Sequence, residues 1–115
     1  AKVCPMSVID EGRFLVHAER CLTFLNGLPS EKAFPPEVPH KAHNALIGCM
    51  LCQNVCPYNR KVRDWEEEGE TFSETETAML LKNDGDGMEE IGAKLEKYGL
   101  DLTVFPRNLA VILGR

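Results

Sequence analysis

The sequence predicts a mainly α fold with few short strands, in which a cysteine-bearing loop region is followed by a small helical layer. Three observations predict it. Apolar residues beyond Ser73 recur at helical spacing, only one short run is strand-like, and the cysteines lie in segments broken by proline. At 115 residues the chain is the size of one domain, too short for two independent cores. It divides into residues 1–62, which carry every cysteine, and residues 63–115, a helical region packed on them.

Each element follows from local pattern. After a loop around Cys4-Pro5, the run Arg13-Phe14-Leu15-Val16 reads as a strand. A short helix follows over Ala18 to Leu25, with Cys21, Leu22, Phe24 and Leu25 on or near one face. Residues 28–39 contain Pro29, Pro35, Pro36 and Pro39, which exclude regular helix or a central strand. An ordered loop that wraps something is expected there. A second short helix is expected over Lys41 to Ile47, ending at Gly48. Residues 64–70 form an acidic, solvated connector.

In the tail, Ser73 and Glu76 make a capping box that opens a helix carrying Met79, Leu80 and Leu81. Asn83 to Gly87 is a turn; its aspartates lack calcium-loop spacing and have no glutamate in register at the twelfth position. A helix over Met88 to Tyr98 puts Met88, Ile91, Leu95 and Tyr98 on one face, with Gly99 as its cap. The last helix, Phe105 to Leu113, holds Pro106 in its first turn, where proline is tolerated.

Composition excludes several functions. A net charge of −5 argues against a nucleic-acid groove, which needs surplus Lys and Arg. Apolar stretches such as Leu109 to Leu113 are too short to span a bilayer, so no membrane partner is expected. No basic segment followed by an apolar one opens the chain, and five is an odd number of cysteines; both fit a cytoplasmic, reducing location better than a disulfide framework. Arg60, Lys61 and Arg63 read as a solvated turn, or else as a docking patch for an anionic partner. His17, His40 and His43 read as surface or capping residues.

The cysteine spacing carries the chemistry. Cys49-Met50-Leu51-Cys52-Gln53-Asn54-Val55-Cys56-Pro57 is C-x2-C-x3-C-P, the last three-quarters of the bacterial ferredoxin run. Thiolates on such a ferredoxin-like curled loop reach neighbouring irons of a cuboidal [4Fe–4S] cluster, and the cysteine before proline ligates the other cluster of a pair. The first cysteine of the run is replaced by Leu46, so Cys49 and Cys52 need two more ligands, and Cys4 and Cys21 are the candidates. Cys4 also precedes a proline, like the end of a further run whose third cysteine would fall one position before Ala1. The chain is therefore expected to be a fragment. Cys4, Cys21, Cys49 and Cys52 make one complete site, and Cys56 is left to a second cluster whose other ligands lie upstream. A structural four-cysteine zinc site serving protein interaction is the alternative, although it leaves the third loop cysteine and both Cys-Pro pairs without a role.

Four elements carry a family resemblance: Val3-Cys4-Pro5 with Val8-Ile9; Glu19-Arg20-Cys21-Leu22-Thr23-Phe24-Leu25; Ile47-Gly48-Cys49 through Cys56-Pro57-Tyr58-Asn59; and Pro106-Arg107-Asn108-Leu109-Ala110. Together they resemble the double-cluster region of the epoxyqueuosine reductase family, which is related to reductive dehalogenases. Tyr58-Asn59 stands where those reductases often carry Trp-Asn, and His40-Lys41-Ala42-His43 is not their usual lead-in. The resemblance implies the ligand division given above and an electron-transfer role within a larger oxidoreductase. It also implies cobalamin in the full-length protein, bound by an upstream catalytic domain, with a redox protein as electron donor. No catalytic residue is expected in this chain. An apolar shell of Val3, Val8, Ile9, Leu22, Leu46, Ile47, Leu51 and Val55 is expected around the cluster.

Overall fold

A computed structural model describes residues 2–115. Among these residues five helices follow one another: α1 (Leu22–Asn26), α2 (Leu51–Asn54), α3 (Glu74–Lys82), α4 (Met88–Glu96) and α5 (Phe105–Ile112). Single 3-10 turns occupy Ala18–Arg20, His40–Ala42, Pro57–Asn59 and Leu102–Val104. The mainly α expectation holds, but no strand forms among the described residues. At Arg13 to Val16 the reason is local. The Asp10 carboxylate accepts from Gly12 N–H at 2.9 Å and its carbonyl from Arg13 N–H at 3.2 Å, closing a turn where a strand would begin. The apolar letters then point outward, with Phe14 fully exposed.

The tail follows its pattern closely. Ser73 Oγ accepts from Glu76 N–H at 3.2 Å, and the Glu76 carboxylate accepts from Ser73 N–H at 2.8 Å, so both halves of the capping box are made. Asn83 ends α3 in the left-handed region at φ 54°. Asp101 caps the turn before α5, its carboxylate accepting from Thr103 N–H at 2.8 Å. Leu80, Ile91, Leu95, Val104, Phe105 and Leu109 bury one face of each tail helix against the others. A single side chain such as Ile91, 1% exposed, contributes about 1.5–3 kcal/mol by leaving water.

Among the described residues two buried clusters exist where one core was expected. The second is small: Met6, Val8, Leu22 and Ala42, with Cys4, Ile9, Cys21, Val38 and Cys49 packed around it. The helices beside it have five and four residues, far below the length at which a helix stands alone. Tertiary contacts must hold them. The expected helix from Ala18 to Leu25 is accordingly split at Cys21, whose extended backbone (φ −66°, ψ 130°) separates a 3-10 turn from α1.

The expected helix over Lys41 to Ile47 is reduced to the His40–Ala42 turn. Its backbone carbonyls are taken elsewhere. Asn26 Nδ2 donates to the Ala45 and Gly48 carbonyls at 3.2 and 2.9 Å, and Asn108 Nδ2 donates to the Leu46 carbonyl at 2.7 Å and the Asn26 carbonyl at 3.0 Å. Each amide thus spends both hydrogens on backbone from another segment. Arg107 continues the knot, donating to the carbonyls of Leu25, Asn26, Pro29 and Lys32 and to Asn108 Oδ1. Its guanidinium lies over the Phe34 ring at 4.2 Å, and Phe34 meets the His43 ring edge-on. The proline-rich loop is ordered as expected, and what it wraps is Arg107.

Two outcomes follow for stability. Asn108→Leu leaves the Leu46 carbonyl without its donor and is expected to cost about 1–3 kcal/mol, against about 1 kcal/mol for the exposed cap change Ser73→Ala; urea unfolding followed by circular dichroism ranks the two. A pH dependence is also expected. The hydrogen bond from Lys94, followed by those from Ser73, lowers the Glu76 carboxyl from 4.5 to about 2. A folded-state pKa below the unfolded one stabilises above pH 4.5 and loses that stabilisation as pH falls toward 2. Glu76→Gln should flatten that part of the stability–pH curve in the metal-free chain.

Candidate metal centre

Three separate segments bring four thiols to one cleft. Cys4 sits in the N-terminal turn, Cys21 is the residue before α1, and Cys49 and Cys52 flank the start of α2. All four line a small cleft walled by Pro5, Met6, Val8 and Leu22. Met6, Val8 and Leu22 are buried, whereas the thiols themselves are half-buried. Gly48, at φ 71°, makes the backbone reversal that delivers Cys49, and a side chain there would strain that conformation.

Hydrogen-bond donors face three of the sulfurs. Val8 N–H donates to Cys4 Sγ at 3.5 Å, Asn44 Nδ2 to Cys49 Sγ at 3.3 Å, and Gln53 Nε2 lies 3.8 Å from Cys52 Sγ. Gln53 is itself held by Asn59, whose Nδ2 donates to Gln53 Oε1 at 2.8 Å and to the Gln53 carbonyl at 3.2 Å. Soft thiols, apolar walls and N–H groups aimed at sulfur are the donor set that iron–sulfur clusters use. Among the described residues, no three Cys, His, Asp or Glu side chains are grouped as ligands of a single metal ion.

The expected apolar shell is partly realised. Val8 and Leu22 are buried at the cleft and Ile9 packs beside them, but Leu46 joins the tail cluster instead. Val3, Ile47, Leu51 and Val55 are exposed. Cys56 is half-buried on the turn beyond α2, outside the residues that line the cleft. Arg60, Lys61 and Arg63 are exposed, with Arg63 paired to Asp64.

His43 is half-buried, and burial, aided by His40 and Arg107, lowers its pKa below the usual imidazole value. His17 accepts from Arg13 and faces Glu19. The residues that sequence reasoning missed are Asn26 and Asn44. The only signal for Asn26 was a polar residue closing an apolar run, and Asn44 gave none beyond its place five residues before Cys49.

Among the described residues, no helix is long and apolar enough to cross a membrane. No solved structure matches the chain. It is similar to the epoxyqueuosine reductase of Escherichia coli K12, with 30% identity over 125 aligned positions that cover 97% of this chain and 30% of that protein. It is also similar to the epoxyqueuosine reductases of Prochlorococcus marinus NATL2A (33% over 60 residues, 52% of this chain and 19% of that protein) and Cyclobacterium marinum (32% over 65 residues, 56% and 20%). The chain thus spans a fifth to a third of these relatives. Residues 1–59 match the family model described as a 4Fe-4S double cluster binding domain, a match that takes in all five cysteines. With its cysteines so spaced and four of them on one cleft, the chain belongs to the family of 4Fe-4S double cluster binding domains.

Proposed function

We propose that this chain is an electron-transfer module of a larger oxidoreductase akin to the epoxyqueuosine reductases. Cys4, Cys21, Cys49 and Cys52 hold one [4Fe–4S] cluster, and Cys56 ligates a second whose other ligands lie outside the chain. The observation that carries this reading is the gathering of four thiols from three segments on one apolar-walled cleft, with Cys56 outside it. A cluster bound there takes up and releases one electron at a time. The residues around it supply no acid or base. They fix the thiolates, aim N–H groups at sulfur, and keep water from the Met6, Val8 and Leu22 side of the cleft.

Relay requires the two clusters to be close, and the short spacing of Cys52 and Cys56 supports it. Cys52 and Cys56 are separated by the rest of α2 and one residue. In this reading residues 1–62 do the electron chemistry, and residues 63–115 hold the cleft in shape through Arg107 and Asn108. The likeness to the reductases supports a cobalamin in an upstream catalytic domain as the electron acceptor, a separate redox protein as donor, and a reducing, cytoplasmic setting.

Anaerobic reconstitution with iron and sulfide tests the reading. A brown chain with at least about four irons and four sulfides, bleached by dithionite, is the expected result; a colourless chain with one tight zinc overturns it. Ligand identity is tested by substitution. Cys21→Ala should lose the cluster or convert it to a three-iron form, detected by electron paramagnetic resonance, while Cys56→Ala leaves it intact. Equal damage from both refutes the assignment of Cys56. Asn108→Leu, although remote from every thiol in sequence, should speed iron loss to a chelator several-fold, because it loosens the loop that carries Cys49.

A further inference from the structure

Resting on the reading above, we infer that Asn44 is a positioning residue that sets the reduction potential of the cluster through the Cys49 thiolate. Asn44 is no ligand and has no role in the tail's knot. Its carboxamide nitrogen donates to the Ala42 carbonyl at 2.8 Å and to Cys49 Sγ at 3.3 Å. A primary amide nitrogen has two hydrogens, and these two acceptors use both. The Ala42 bond fixes the rotamer: Ala42 is 1% exposed and ends a 3-10 turn tied to Pro39 by a 2.8 Å backbone bond. With one hydrogen pinned to that rigid carbonyl, the other is directed at the sulfur.

The consequence has a definite sign. A cluster gains an electron on reduction, and its thiolate ligands become more electron-rich. An N–H donor strengthens its bond to the more negative sulfur, so it stabilises the reduced state and raises the potential. Removing Asn44's donor therefore lowers it. Val8 N–H plays the same part at Cys4, but it is backbone and cannot be varied by substitution. Gln53 Nε2 stands farther from its sulfur, 3.8 Å from Cys52 Sγ, so Asn44 makes the shorter of the two side-chain contacts, from a lead-in segment whose sequence can change without altering any ligand.

The test uses the reconstituted chain and a redox titration followed by electron paramagnetic resonance. Asn44→Leu keeps the approximate shape without the donor, and Asn44→Asp keeps the shape with acceptors only. Both should retain full iron and sulfide and show a more negative midpoint, with Asp further shifted by its charge. Pulsed resonance on the unaltered, reduced chain should detect an exchangeable proton coupled to the cluster that is missing from Asn44→Leu, a signal that a purely structural role would not move. Midpoints unchanged in both variants, or a proton coupling unchanged by Asn44→Leu, overturn the inference while leaving the cluster assignment standing. A chain that takes up no cluster overturns the reading beneath it, and this inference with it.

Discussion

The Asn26–Asn108–Arg107 knot is the constraint on which the cleft depends. The segments that carry the thiols are mostly loops and single turns, and their carbonyls have no helical or sheet ladder to join. Three side chains act as donors in place of a ladder. Asn26 closes α1, the helix that Cys21 precedes, and its amide holds the Gly48 carbonyl immediately before Cys49. One fully buried side chain therefore sets the separation of two thiol-bearing segments. Asn108 then holds Asn26 by its backbone, so the tail helix α5 fixes the part that fixes the cleft.

Apolar packing alone would not do this. The cluster beside the thiols contains four buried residues, too few to order the loops around them. The larger cluster lies in the tail, and Leu46 is where the two regions meet: its side chain packs on the tail cluster while its carbonyl accepts from Asn108. A helical tail without cysteines is thus not an appendage. Its Pro106-Arg107-Asn108 segment supplies the donors that the cysteine region lacks, which gives a physical reason for this segment to accompany the cysteine spacing.

How much of this could be read from sequence depended on how local the determinant was. The capping box at Ser73, the apolar face of Ile91 and Leu95, and the C-x2-C-x3-C-P spacing are all set within a few residues, and each was legible. The strand reading at Arg13 to Val16 failed because Asp10, just outside the run, closes a turn and no partner strand exists among the described residues. The helix reading at Lys41 to Ile47 failed for the opposite reason. The groups that capture its carbonyls, Asn26 and Asn108, are about 20 residues before it and more than 60 after it, beyond any periodicity argument. Val55 and Leu51 look like cluster shell by proximity, yet they face solvent because a four-residue helix has no second layer to cover them.

The same polar network explains how thiols so far apart in sequence can line one cleft. A compact ferredoxin loop brings its thiolates together by local turns, so little chain entropy separates the free and ligated states. Cys21 and Cys49 are joined by a long loop, whose closure must be offset by something other than the metal if affinity is to remain high. Arg107 spends its donors on that loop at Leu25, Asn26, Pro29 and Lys32, and Phe34 stacks beneath its guanidinium. These hydrogen bonds therefore share in closing the loop. On the proposed reading, hydrogen bonds within the chain carry part of the closure cost that a cluster held by these thiols would otherwise meet alone.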